Sequence, residues 1–61
     1  MEHASDVTKA YTVTLPNGKQ QMFEETKEGV FYAATSNRVP NFAAGLEKVK
    51  EMGGTVEIKE L

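Results

Sequence analysis

The pentapeptide Leu15-Pro16-Asn17-Gly18-Lys19 lies between two runs of alternating polar and apolar residues, and such a turn commits the first third of the chain to a β-hairpin. The run before it, Thr8 to Leu15, puts Tyr11, Val13 and Leu15 on one side of a strand and Ala10, Thr12 and Thr14 on the other. Two closures are open. A two-residue Asn17-Gly18 loop pairs Val13 with Met22 and sets Tyr11 against Glu24. A type I turn over Pro16 and Asn17, with Gly18 as a left-handed bulge residue, pairs Leu15 with Lys19, Val13 with Gln21 and Tyr11 with Phe23. The second is favoured, because proline pre-sets the first central φ, glycine takes the positive φ, and two aromatics meet on the buried side.

The same device at Thr26-Lys27-Glu28-Gly29, a type I turn plus Gly29, reverses the chain into a third strand, Val30-Phe31-Tyr32-Ala33-Ala34-Thr35. Its parity sends Phe31 and Ala33 inward with Phe23, and Met22, Val30, Tyr32 and Ala34 outward. After the polar break Ser36-Asn37-Arg38, Pro40 or Asn41 opens a helix. Phe42, Leu46 and Val49 recur on one of its faces, Glu47, Lys48, Lys50 and Glu51 on the wet side, and Gly53-Gly54 ends it as a left-handed C-cap. Thr55 to Leu61 alternates again, with Val56 and Ile58 inward.

These elements predict one small α+β domain of order β-β-β-α-β. Its mixed sheet is an antiparallel three-stranded meander plus a C-terminal strand, with one helix packed on one face. The domain spans residues 7–61, after a flexible N-terminus over 1–6. The last strand is expected to run parallel to the third and to lie beside either the third or the first.

At 61 residues a chain has room for one domain, and a core of this size supplies about 3–5 kcal/mol at most. With no cysteine, neither disulfides nor thiolate metal sites can supplement it, and the composition fits a reducing compartment. The segment Met1 to Asp6 has no basic or apolar signal region, so a cytoplasmic location is expected. The seven Lys/Arg residues are spread singly among nine Asp/Glu, and no basic stripe forms to bind a phosphate backbone.

Chemistry-bearing motifs are sparse. His3 is the only histidine, which removes catalytic triads and histidine-based zinc sites; behind a free amine it could chelate Cu(II) or Ni(II). Glu24, Glu25 and Glu28 at the second turn, and Glu47 with Glu51 on the outer helix face, read as solvated carboxylates rather than an acid–base pair. Gly53-Gly54 follows a helix and precedes a strand, the reverse of a phosphate-cradling loop. No enzyme, no cofactor and no metal are therefore expected.

The element order resembles the first half of a ribonuclease-H-like fold, whose nucleases hold metal ions with acids on the first strand, the helix and the fourth strand. Here Tyr11-Thr12-Val13-Thr14 carries no acid, and only Glu47 and Glu57 fall in comparable elements. The order, the acidic balance and Gly29-Val30-Phe31-Tyr32-Ala33 also resemble HicB-type antitoxins, which implies an antitoxin- or inhibitor-like small protein.

One helix covers one face of a sheet. The other face should then expose a partner-binding surface of Met22, Val30, Tyr32, Ala34 and Thr12, with Arg38 at its border. The expected function is a non-enzymatic protein-interaction or regulatory module acting through an open sheet face or edge, on a protein partner or as a homodimer. The alternative is a weak single-stranded nucleic-acid-binding domain with Tyr32 as the stacking platform.

Overall fold

A computed structural model describes residues 7–61, and the readings of His3 and of the segment 1–6 lie outside the described residues. Along the chain come β1 (Lys9–Thr14), β2 (Gln20–Thr26), β3 (Gly29–Tyr32), α1 (Phe42–Glu51) and β4 (Thr55–Glu60). This is the α+β domain of β-β-β-α-β order expected of the sequence.

The first hairpin closes in the favoured register. Gly18 N–H donates to the Leu15 carbonyl and Leu15 N–H to the Lys19 carbonyl, both at 2.8 Å, with Gly18 at φ 91°. Asn17 Oδ1 accepts the Lys19 N–H at 3.0 Å. Tyr11 accordingly faces Phe23, and Val13 faces Gln21.

The second hairpin departs from expectation by one residue. Gly29 is not left out as a bulge; it joins the ladder opposite Thr26, so Phe23 faces Tyr32 and Glu24 faces Phe31. Thr26 supports this tighter closure: its Oγ1 accepts the Glu28 N–H at 3.1 Å and donates to the Gly29 carbonyl at 3.4 Å. A one-residue slip turns every side chain over. Val30 and Tyr32 therefore lie on the helix side and Phe31 on the outer side.

The direction and place of the last strand follow from a short segment that the sequence reads as a polar break. After Tyr32 the chain folds back along β3: Tyr32 N–H donates to the Asn37 carbonyl, Val39 N–H donates to the Val30 carbonyl, both at 2.8 Å, and Phe31 bridges Arg38. This extra leg inverts the chain before α1 begins and occupies the outer edge of β3. The last strand, expected to run parallel to β3, instead runs antiparallel to β1 on that strand's free side, giving the order β3-β2-β1-β4 with every pairing antiparallel.

α1 lies across the face that carries Tyr11, Val13 and Phe23. The Phe42 ring stands edge-on to Tyr11 with centroids 4.8 Å apart and tilts against Phe23 at 5.0 Å, while Phe23 meets Tyr32 at 5.4 Å. Leu46 and Val49 are half-buried on the same stripe, as the spacing predicts. Asn41 occupies the N-cap position in the left-handed conformation and makes no side-chain cap. At the other end Gly53, at φ 95°, donates to the Lys50 carbonyl and Gly54 to the Val49 carbonyl, the paired bonds of a glycine C-cap. The core is small: Val13 is 2% exposed, Tyr11 is 8% exposed, and no other apolar described residue is buried.

Candidate functional site

The strand registers create three kinds of surface: the outer sheet face, the open end of the helix-side face, and the two sheet edges. On the outer face, Met22 is 59% exposed and stands beside its cross-strand neighbour Thr12. Phe31 shares this face, as does Leu61, which continues the β4 alternation and is 69% exposed. Arg38 pairs with Phe31, and its guanidinium lies over Gly29.

The expected partner surface is thus only partly assembled. Met22, Thr12 and Arg38 belong to the outer face. Val30 and Tyr32 are turned to the helix side, where Tyr32 packs on Phe23, and Ala34 lies in the exposed turn after β3. Phe31 and Leu61 take their places. Charged residues interrupt this face, because Glu24, Glu57 and Lys59 fall on it by register. The stacking platform expected of Tyr32 is likewise on the wrong side of the sheet for an open face.

At the open end of the helix-side face, Lys9 faces Glu25 on one side and Glu60 on the other. Two residues along β1 from Lys9, the Tyr11 hydroxyl donates to Glu25 Oε1. That hydrogen bond, then burial, then the charges of Glu25 and Glu60 push the Tyr11 phenol up to about 12. A phenol so held stays protonated near neutral pH; it donates a hydrogen bond and does not serve as a base. Spacing in the sequence does not reveal this cluster, because it joins three strands.

The contact makes a pH prediction. The folded pKa lies above the unfolded value of about 10, so the stability it contributes is complete below pH ~10 and is lost as pH rises towards ~12. Urea unfolding midpoints should fall across that window more steeply in the wild type than in Tyr11→Phe. Equal slopes in the two proteins would show that the Tyr11–Glu25 contact is not responsible.

The two sheet edges differ in kind. The outer side of β3 is taken by residues 37–39. On β4 the Leu61 N–H donates to the Thr8 carbonyl at 3.0 Å, which sets the phase of the β1–β4 ladder: residues 55, 57, 59 and 61 address β1. The backbone N–H and C=O groups of Val56, Ile58 and Glu60 therefore point away from the sheet, and no described residue pairs with them. Ile58 lies on the helix side by register yet is 54% exposed.

No family model, no curated protein and no solved structure matches the chain. Among the described residues no group of three or more His, Cys, Asp or Glu is placed to hold a metal ion, and no helix is long and apolar enough to cross a membrane.

Proposed function

We propose that the chain is a non-enzymatic protein-interaction module that works by association through its sheet, with the free edge of β4 as the main contact and the outer face beside it. The observation that carries this reading is the open run of backbone donors and acceptors at Val56, Ile58 and Glu60, next to a half-exposed isoleucine. Such an edge is a template for another strand. A small core adds to the case, since Met22, Met52, Ile58 and Leu61 all stay more than half exposed and a second subunit is one way a domain of this size gains stability. The Tyr11 phenol, pushed up to about 12, is held in its protonated form as a donor to Glu25 and fits this reading.

Light scattering across a concentration series tests it. The weight-average mass should rise above the 6.7 kDa of one chain. Ile58→Pro, which removes an outward N–H from the edge strand without touching the β1 ladder, should hold the mass at the monomer value. Met22→Glu should leave the rise intact if the edge dominates and remove it if the outer face does. A mass that stays monomeric at every concentration overturns self-association as the working mode.

A further inference from the structure

We infer that β4 is self-complementary, so that two copies join through it antiparallel about a two-fold axis at Ile58 and form one continuous sheet of eight strands. The inference rests on the association reading above and adds to it the partner, the surface and the register.

The phase of the edge limits the choices. Only Val56, Ile58 and Glu60 address the free side, so a symmetric antiparallel pairing must match outward residues with outward residues. Sliding the strands by one such step in one direction puts Glu57 opposite Glu57 of the second copy, and in the other direction Lys59 opposite Lys59. Both place like charges face to face, which destabilises a strand pair. Pairing Ile58 with Ile58 avoids this. Glu57 then meets Lys59 of the other copy, and the symmetry repeats that pair, so the outer face gains two opposite-charge contacts. The same register matches Val56 with Glu60 and Thr55 with Leu61, so it spans all seven residues from Thr55 to the last described residue. Each of the three outward pairs exchanges two backbone hydrogen bonds.

On the helix side this register brings the half-exposed Ile58 side chains together and gives each an apolar neighbour across the joint. Each helix ends at Gly53-Gly54, just before Thr55, and Thr55 lies opposite Leu61 of the other copy. The two helix C-termini are thus at opposite ends of the shared strand pair and do not compete for space. Assembly stops at two copies, because the remaining edge, β3, is occupied by residues 37–39. A mixed run of charges on an edge strand ordinarily keeps other strands away. In the order Glu57-Ile58-Lys59 it does so for a strand in the wrong register and favours one in this register.

Charge exchange tests the register. Glu57→Lys and Lys59→Glu should each weaken dimerisation in sedimentation equilibrium by roughly tenfold or more, because each puts like charges opposite one another at both symmetric positions. The double variant Glu57→Lys/Lys59→Glu should restore the wild-type affinity. An equimolar mixture of the two single variants should associate more tightly than either alone, since one carries two lysines and the other two glutamates across the joint. A second measurement does not depend on charge. In this cysteine-free chain, Ile58→Cys should crosslink to itself under mild oxidation, because Cα atoms of a hydrogen-bonded antiparallel pair lie about 5.5 Å apart, within disulfide reach.

A wild-type chain that dimerises while the double variant stays weak and Ile58→Cys does not crosslink overturns the register and leaves the association reading standing. A wild-type chain that remains monomeric overturns both.

Discussion

Gly54→Ala is expected to lower the unfolding free energy by about 2–3 kcal/mol, most of what a domain of this size possesses. A methyl carbon at this position would stand 2.6 Å from the Thr14 carbonyl oxygen and 2.6 Å from Val49 Cγ1. The side chain of Val49 can rotate away, but Thr14 belongs to the central strand β1 and its carbonyl cannot move without disturbing the ladder. The chain needs glycine here because helix end, strand start and β1 converge on a single point. Gly53→Ala is the natural comparison. Its added methyl meets nothing within 4 Å, so only the left-handed φ of 95° is penalised, at about 1 kcal/mol. Denaturant unfolding of both variants should show Gly54→Ala as clearly the more damaging. Equal losses would mean that backbone conformation, and not the close approach to Thr14, sets the requirement.

Phe42→Ala is expected to cost about 3 kcal/mol, at the low end for a phenylalanine because the ring is only half-buried. The Phe42 ring packs on both Tyr11 and Phe23, and so docks α1 on the centre of the sheet. Its loss would strip cover from Tyr11, one of the two buried residues of the core. Phe42→Leu keeps most of the apolar volume and should cost less than half as much. Thermal or urea unfolding followed in the far-ultraviolet would report both. If Phe42→Ala lost less than about 1 kcal/mol, the helix would be held mainly by Leu46 and Val49, and the aromatic cluster would be incidental.

Both sites bear on the proposed dimer edge. Gly54 delivers the chain into β4 beside Thr14, and so determines which β4 residues address β1 and which face outward. Phe42 lies outside the β1–β4 ladder, so Phe42 variants that remain folded should retain the register of β4 and associate in proportion to their stability, whereas Gly54→Ala should weaken association beyond its loss of stability.

The contrast between the two hairpins explains how much of this molecule is legible in its residues. At Pro16-Asn17-Gly18 the turn chemistry and the alternation of Tyr11 and Val13 point to the same register, and the structure adopts it. Val30-Phe31-Tyr32 is apolar at every position, so period-two alternation carries no information about which face each residue takes. There the register falls to the closure at Lys27-Glu28, where the Thr26 hydroxyl bonds both Glu28 and Gly29 and Gly29 joins the ladder. That single step exchanges Tyr32 for Phe31 on the outer face and divides the expected surface, leaving Met22, Thr12 and Arg38 together. The Tyr11–Glu25–Glu60 cluster could not be read for a different reason: its members are adjacent only once three strands are aligned.

From local chemistry alone follow the β-β-β-α-β order, the first hairpin and its bulge, the Phe42–Leu46–Val49 stripe, the glycine C-cap and the inward parity of Val56 and Ile58. These depend on turn geometry and on hydrophobic period within a few residues, which the chain carries at each position. Tertiary structure decided where β4 lies and which way it runs. Residues 37–39, too polar to read as a strand, pair along β3, cover its edge and reverse the chain, so that the only open place left for the last strand is beside β1. The free edge on which the functional reading rests exists because of that long-range choice, whereas the Glu57–Lys59 alternation on which the proposed pairing rests was present in the sequence from the start.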